Sequence, residues 1–286
     1  MYRFLVPLLL LLACSDDSGG SRADGDVGAG GDGPIAAKDA GDSGAPDADA
    51  APNLACQDTA KQVVKLPTDD GLSLEADLYL SGAASGPAAV LLHEVPPQND
   101  RTNYPQAFID ALLARGVTVL NVDRRGTAAS GGVAAEAHQG PKGKLDAKAA
   151  YDFLQKHACV MDMSRVLFIG ASNGTTTALD FTVHAGAEPS ITLPRALVFL
   201  TGGTYTENQN KIADNLDLLK ALPILFVYTS AEAAWSAALK PGAPPVWEFV
   251  EYSGVSASAG HGTGIFTAKP ESINTVARFV EQSIQK

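Results

Sequence analysis

The chain has 286 residues, 45% of them hydrophobic and 19% charged, with three cysteines and a formal net charge of -11. That balance belongs to a globular protein with one large core rather than two. It argues against nucleic acid as a partner: no basic stripe runs along the chain, and much of the acidity falls between Ser15 and Leu54, where nine Asp face one Arg and one Lys.

At the N-terminus Arg3 precedes an apolar run, residues 4–13, broken only by Pro7. This reads as an export signal, and it is too short to cross a bilayer core of about 30 Å as a helix. The run ends Leu11-Leu12-Ala13-Cys14, which resembles the lipobox of bacterial lipoproteins. The resemblance implies that Cys14 is lipidated and becomes the first residue of the mature protein, an ordinary cleaved signal being the alternative. Acyl chains, at about 0.8 kcal/mol per buried methylene, would then hold the protein to the bacterial cell envelope, facing the periplasm or the exterior.

Residues 14–54 are almost wholly Gly, Ala, Asp, Ser and Pro, so ordering them would cost entropy that no core repays. The Asp24-Gly25-Asp26 stretch lacks the ligand spacing and terminal Glu of an EF-hand, which favours a solvated linker over a calcium site. The expected division is a signal at 1–13, a lipidated cysteine and linker at 14–54, and one folded domain at 55–286. With Cys14 modified, Cys56 and Cys159 remain as a pair suited to a disulfide in an oxidising compartment, two buried thiols being the alternative.

Within the domain, segments 63–66 and 72–80 read as a hairpin around Asp69-Asp70-Gly71. Continuous apolar runs at 88–92, 117–122, 166–169, 196–200, 224–228 and 247–252 suit buried parallel strands, which makes eight strands in all. Helical patterns fall between them at 105–114, 145–157, 175–184, 211–221, 232–239 and 273–285. The alternation predicts an α/β fold, a mostly parallel sheet with helices on both faces, and no interval is long enough for a large cap domain.

After the strand ending at Ile169 stands Gly170-Ala171-Ser172-Asn173-Gly174, followed by a helical run. This is G-x-S-x-G in the strand, turn, helix context of a nucleophile elbow, in which glycines relieve the crowding of a strained turn. Here the chain resembles the α/β-hydrolase family over residues 60–286. The landmarks are Leu91-Leu92-His93-Glu94, Val122-Asp123-Arg124-Arg125-Gly126, the elbow, and Ala259-Gly260-His261-Gly262. The His93-Glu94 pair is similar to the His-Glu motif of dienelactone hydrolases, although those use Cys where this chain has Ser172.

The resemblance implies Ser172 as nucleophile, His261 as its base, and an oxyanion hole made by the backbone N–H groups of Asn173 and Val95. His93 and Glu94 would support the loop that carries Val95, or Glu94 would lie near Ser172 and tune it. Imidazole titrates near neutrality in its unperturbed form, as a proton shuttle requires. His138, His157 and His184 read as surface or helix-end residues.

The family places its acid after the strand at 224–228, yet Ala233 occupies the position where Asp is expected. Glu232 is the nearest carboxylate, with Glu207 or no acid at all as alternatives. Two functions follow: a serine hydrolase acting on small esters or lactones through an acyl-enzyme, or a membrane-tethered binding protein on a hydrolase scaffold that has lost its acid. Neither an organic cofactor nor a metal is implied, since no Cys/His ligand spacing is present.

Overall fold

The computed structural model describes residues 54–138, 141–160, 162–202 and 208–285. The signal segment, Cys14, the linker through residue 53 and Glu207 lie outside them.

Eight strands form one sheet: β1 (Gln62–Pro67), β2 (Ser73–Tyr79), β3 (Ala88–Leu92), β4 (Thr118–Val122), β5 (Val166–Ala171), β6 (Leu197–Leu200), β7 (Ile224–Thr229) and β8 (Trp247–Tyr252). Their order is β1-β2-β4-β3-β5-β6-β7-β8. The pairs β1–β2 and β2–β4 are antiparallel, and the rest of the sheet is parallel. All eight expected strands are therefore present, each within a residue or two of its predicted bounds.

The helices, in chain order, are α1 (Gln106–Leu113), α2 (Ala134–His138), α3 (Gly143–Lys156), α4 (Asn173–Ala187), α5 (Leu216–Leu219), α6 (Ala233–Ala237), α7 (Ala257–Gly260), α8 (Ile265–Ala268) and α9 (Glu271–Gln285). Strand alternation divides the core in two. On β5, Val166 and Phe168 face one side, where they join Tyr151 and Leu154 of α3 and Leu179 and Phe181 of α4. Leu167 and Ile169 face the other, packing with Phe108 and Leu112 of α1 and Val276 and Val280 of α9. Burial on both faces explains why these strands read as unbroken apolar runs rather than alternating ones.

Apart from the unpredicted helix α2, three segments depart from expectation. The helical pattern at 211–221 resolves into a 3-10 turn at Ala213–Asn215 and the single turn α5, because Asn215 leaves helical geometry at φ -126° and its side-chain amide donates to the Lys211 carbonyl. Short polar side chains bond to nearby backbone in this way at the expense of a continuing helix. The pattern at 232–239 likewise opens with a 3-10 turn, Ser230–Glu232, and keeps only five α-helical residues in α6. The segment around His261, where no helical pattern is predicted, forms α7, a 3-10 turn at Gly262–Gly264, and α8, with the Ser256 hydroxyl accepting from Ala259 N–H to start α7.

The sheet order switches direction at β3, whose neighbours β4 and β5 lie on opposite sides. In open α/β sheets the crevice for a ligand lies at the carboxyl ends of strands flanking such a switch. Here it receives residues 93–95 after β3 and Ser172 after β5. A disulfide joins buried Cys56 to buried Cys159, tying the start of the domain to the segment that leads into β5. Among the described residues no helix is long and apolar enough to cross a membrane.

Candidate active site

Ser172 stands between β5 and α4 with φ +50° and ψ -119°, a conformation that side-chain-bearing residues rarely adopt. The two flanking glycines make the turn possible. A Cβ on Gly170 would fall 2.4 Å from the backbone of Gly174, and a Cβ on Gly174 would fall 2.2 Å from the Leu92 carbonyl oxygen. The elbow motif is thus a packing requirement: α4 can start directly above β3 and β5 only where neither position carries a side chain. Helix α4 begins at Asn173, two residues earlier than the sequence pattern suggested, so its first free N–H groups lie beside the serine.

His261, between α7 and the following 3-10 turn, places Nε2 2.8 Å from Ser172 Oγ. Its Nδ1 lies 2.6 Å from Oε1 of Glu232. A carboxylate only accepts, so the proton sits on Nδ1, and Nε2 is left to accept from the Ser172 hydroxyl. The carboxylate at the imidazole is that of Glu232, reached from the turn after β7. Its second oxygen, Oε2, is buried with no hydrogen-bond partner among the described residues.

Ser172 and His261 open onto a cavity of about 490 Å³ walled by Val95, His138, Thr201, Ala234 and Trp235. Asn173 also borders it, and the Asn173 side chain is turned inward, accepting from Arg124 and donating to the Thr176 hydroxyl. His138, expected as a surface or helix-end residue, ends α2 yet forms part of the cavity wall. The sequence could not show this, because α2 has five residues, too few for a periodic pattern.

His93 and Glu94 make their hydrogen bonds away from the serine. His93 is fully buried: Nε2 accepts from the Arg124 backbone N–H at 2.9 Å, and Nδ1 donates to the Glu94 carbonyl at 2.8 Å. Glu94 Oε1 accepts from the backbone N–H and hydroxyl of Thr263, at 2.9 and 3.1 Å. One side chain thus links the ends of β3 and β4, and the other links the loop after β3 to the segment following His261.

In the sequence Arg124 stands only within a landmark, and in the fold it is the hub beneath this region. Its guanidinium is fully buried and donates to the carbonyls of His93 and Glu94, to the carbonyl of Ala137 at the end of α2, and to Asn173 Oδ1 and Thr177 Oγ1 on α4. Two adjacent arginines give no sequence signal of their separate roles. The other, Arg125, is held by Asp146 at 2.8 Å, both side chains fully buried, and by Asp70.

Burial holds the His93 imidazole down to a pKa of about 3, and the Arg124 cation pushes the same way. Unfolded, the same group protonates near its ordinary 6.5. The unfolded chain therefore binds the extra proton between these values, so stability present above pH 6.5 is lost as pH falls towards 3, by up to about 1.4 kcal/mol per pH unit. Buried Asp123, Asp146 and Asp180, whose carboxyls burial shifts upward, act in the opposite sense. A comparison of variants isolates the histidine: in urea unfolding, His93→Gln should be less stable than wild type at neutral pH, and the gap should narrow on acidification to about pH 4.5. A gap that stays constant across that range would rule out a neutral, buried His93.

Among the described residues no group of three or more His, Cys, Asp or Glu side chains could hold a metal ion.

The strand order, the elbow after β5 and the helical layers on both faces define the α/β-hydrolase fold. No family model and no curated protein matches the chain. Among solved structures it is similar to the Pyrococcus furiosus esterase Pf2001, at 17% identity and TM-score 0.60, over 79% of this chain and 92% of that one. The thermostable carboxylesterase EstE1 from a metagenomic library aligns at 16% identity and TM-score 0.58, over 79% and 90% of the two chains. The α/β-hydrolase GrgF of a Penicillium species aligns at 13% identity and TM-score 0.55, over 79% of this chain and all of that one. At these identities the likeness establishes the fold.

Proposed function

We propose that the protein is a serine esterase that cleaves small carboxylic esters or lactones through an acyl-enzyme. The observation that carries this reading is the unbroken series of contacts from Ser172 Oγ to His261 Nε2 and from His261 Nδ1 to Glu232. Two of the similar structures are an esterase and a carboxylesterase, which supports the same reading.

In the proposed reaction His261 Nε2 takes the Ser172 proton as Oγ attacks the ester carbonyl carbon. The N–H groups of Asn173 and Val95 hold the oxygen that becomes negative. The carbon–oxygen bond to the alcohol then breaks, and the departing alkoxide takes the proton from Nε2. Water, deprotonated by the same nitrogen, attacks the acyl group and releases the acid, restoring Ser172. Glu232 keeps the proton on Nδ1 and stabilises the transient imidazolium. The leader and Cys14 support a further part of the proposal, that the esterase works while tethered to the cell envelope.

Labelling of the full chain with a fluorophosphonate probe tests the reading. Wild type should label, and Ser172→Ala should abolish labelling because the attacking oxygen is gone. His261→Ala should slow it by about 1,000-fold or more. A folded wild-type chain that does not label would overturn the proposal.

A further inference from the structure

A second opening, of about 510 Å³, shares His261 with the cavity at Ser172 and is bordered by Glu94, Asn103, Ser258, Thr263 and Thr267. Its chemistry differs from that of the first. Where Val95, Ala234 and Trp235 supply apolar surface beside the serine, the second opening is bordered by hydroxyls, an amide and one carboxylate. The Asn103 amide is already engaged by Asp100 and Asn99. The Glu94 carboxylate is held in place through Oε1 by Thr263, which leaves Oε2 to accept from a ligand.

We propose that this opening receives the alcohol half of the ester and selects a hydroxyl-rich, uncharged alcohol of the polyol type. The inference rests on the serine-esterase reading. In that reaction the alkoxide must collect its proton from His261 Nε2, so the alcohol half has to lie against the imidazole while the acyl carbon sits on Ser172. His261 is the residue that borders both openings, and the consecutive residues Glu94 and Val95 divide between them. An apolar acyl group therefore fits the side of Val95 and Trp235, and the alcohol fits the side of Glu94. There the hydroxyls of a polyol meet Glu94 Oε2 and the Ser258 and Thr267 hydroxyls. A leaving group bearing a carboxylate meets the Glu94 charge and is repelled.

The test compares kcat/KM of the full chain for methyl butyrate, glyceryl monobutyrate and the butyrate ester of glycolic acid, whose leaving group carries a carboxylate. Wild type should prefer the glyceryl over the methyl ester by about tenfold and disfavour the glycolate ester, the scale of one or two hydrogen bonds. Glu94→Gln should raise the glycolate ester relative to the methyl ester by about tenfold, because the repelling charge is gone while the amide oxygen still accepts from Thr263. Thr267→Phe, which narrows the opening, should bring the glyceryl-to-methyl ratio near one. Hydrolysis of all three esters with ratios near one in all three proteins would overturn this inference and leave the esterase reading intact. If no ester is hydrolysed and Ser172 does not label, the esterase reading falls and this inference with it.

Discussion

Glu232→Gln is expected to lower kcat by about 1,000- to 10,000-fold while leaving the fold in place, the scale reached when a hydrolase acid loses its charge. Glutamine can present its amide nitrogen to His261 Nδ1. That reverses the hydrogen bond, moves the imidazole proton to Nε2, and removes the lone pair needed to accept from Ser172. Little else should change, because Glu232 Oε2 has no hydrogen-bond partner among the described residues and Oε1 serves His261. Glu232→Asp keeps the charge but shortens the reach by one methylene, so an intermediate loss of about 10- to 100-fold is expected as the carboxylate draws back from a 2.6 Å contact. Steady-state kinetics with p-nitrophenyl butyrate, and near-ultraviolet circular dichroism to confirm the fold, read the outcome. A Gln variant within tenfold of wild type would show that Glu232 is not the working acid.

Arg124→Met should destabilise the protein by about 3–5 kcal/mol, the range for removing one member of a buried charged network. The side chains are close in volume, but methionine donates nothing, and the acceptors on His93, Glu94, Ala137, Asn173 and Thr177 lose their shared donor together. Buried acceptors left bare carry the desolvation cost that a hydrogen bond had offset. The Arg124 pKa, drawn down to about 10 by burial, still keeps the group charged at neutral pH. Arg124→Lys keeps a charge yet cannot reach all five acceptors, so it should fall between the two. The urea midpoint measures stability directly. At a temperature where both variants are folded, kcat should also fall with little change in KM, because the loop carrying Val95 and the start of α4 lose their common support. An Arg124→Met midpoint equal to that of wild type would show that this cluster contributes nothing to stability.

Much of the architecture was legible before the fold was known. The central strands β3 to β7 could be placed because strands buried on both faces are largely apolar, whereas β1 and β2 were marked by the Asp69-Asp70-Gly71 turn between them and β8 is a partly exposed edge strand. Ser172 could be read from the G-x-S-x-G motif between a strand and a helix, although only the crowding at Gly170 is local, that at Gly174 arising from the adjoining strand β3. His261 stood out by its place after the last strand. The weak points were the short helices. Helix α2 and the turns around His261 are single-turn elements held by caps and neighbours, not by a repeating apolar face, so no periodicity announces them.

By itself the sequence determined the alternation of strands and helices and the elbow motif, because these depend on unbroken apolar runs, helical patterning and the small residues of the turn, while the pairing of Ser172 with His261 was implied by the resemblance to the α/β-hydrolase family. Only the tertiary structure decided which carboxylate meets the imidazole, which of two adjacent arginines lies beneath the site, that His138 borders the cavity, and that a polar opening adjoins an apolar one. Each of these brings together groups far apart in the chain, as Glu232 and His261 are, or as Arg124 and Asn173 are. Contacts of that kind follow from how helices seat on a twisted sheet, and one linear pattern carries no record of where two distant side chains end.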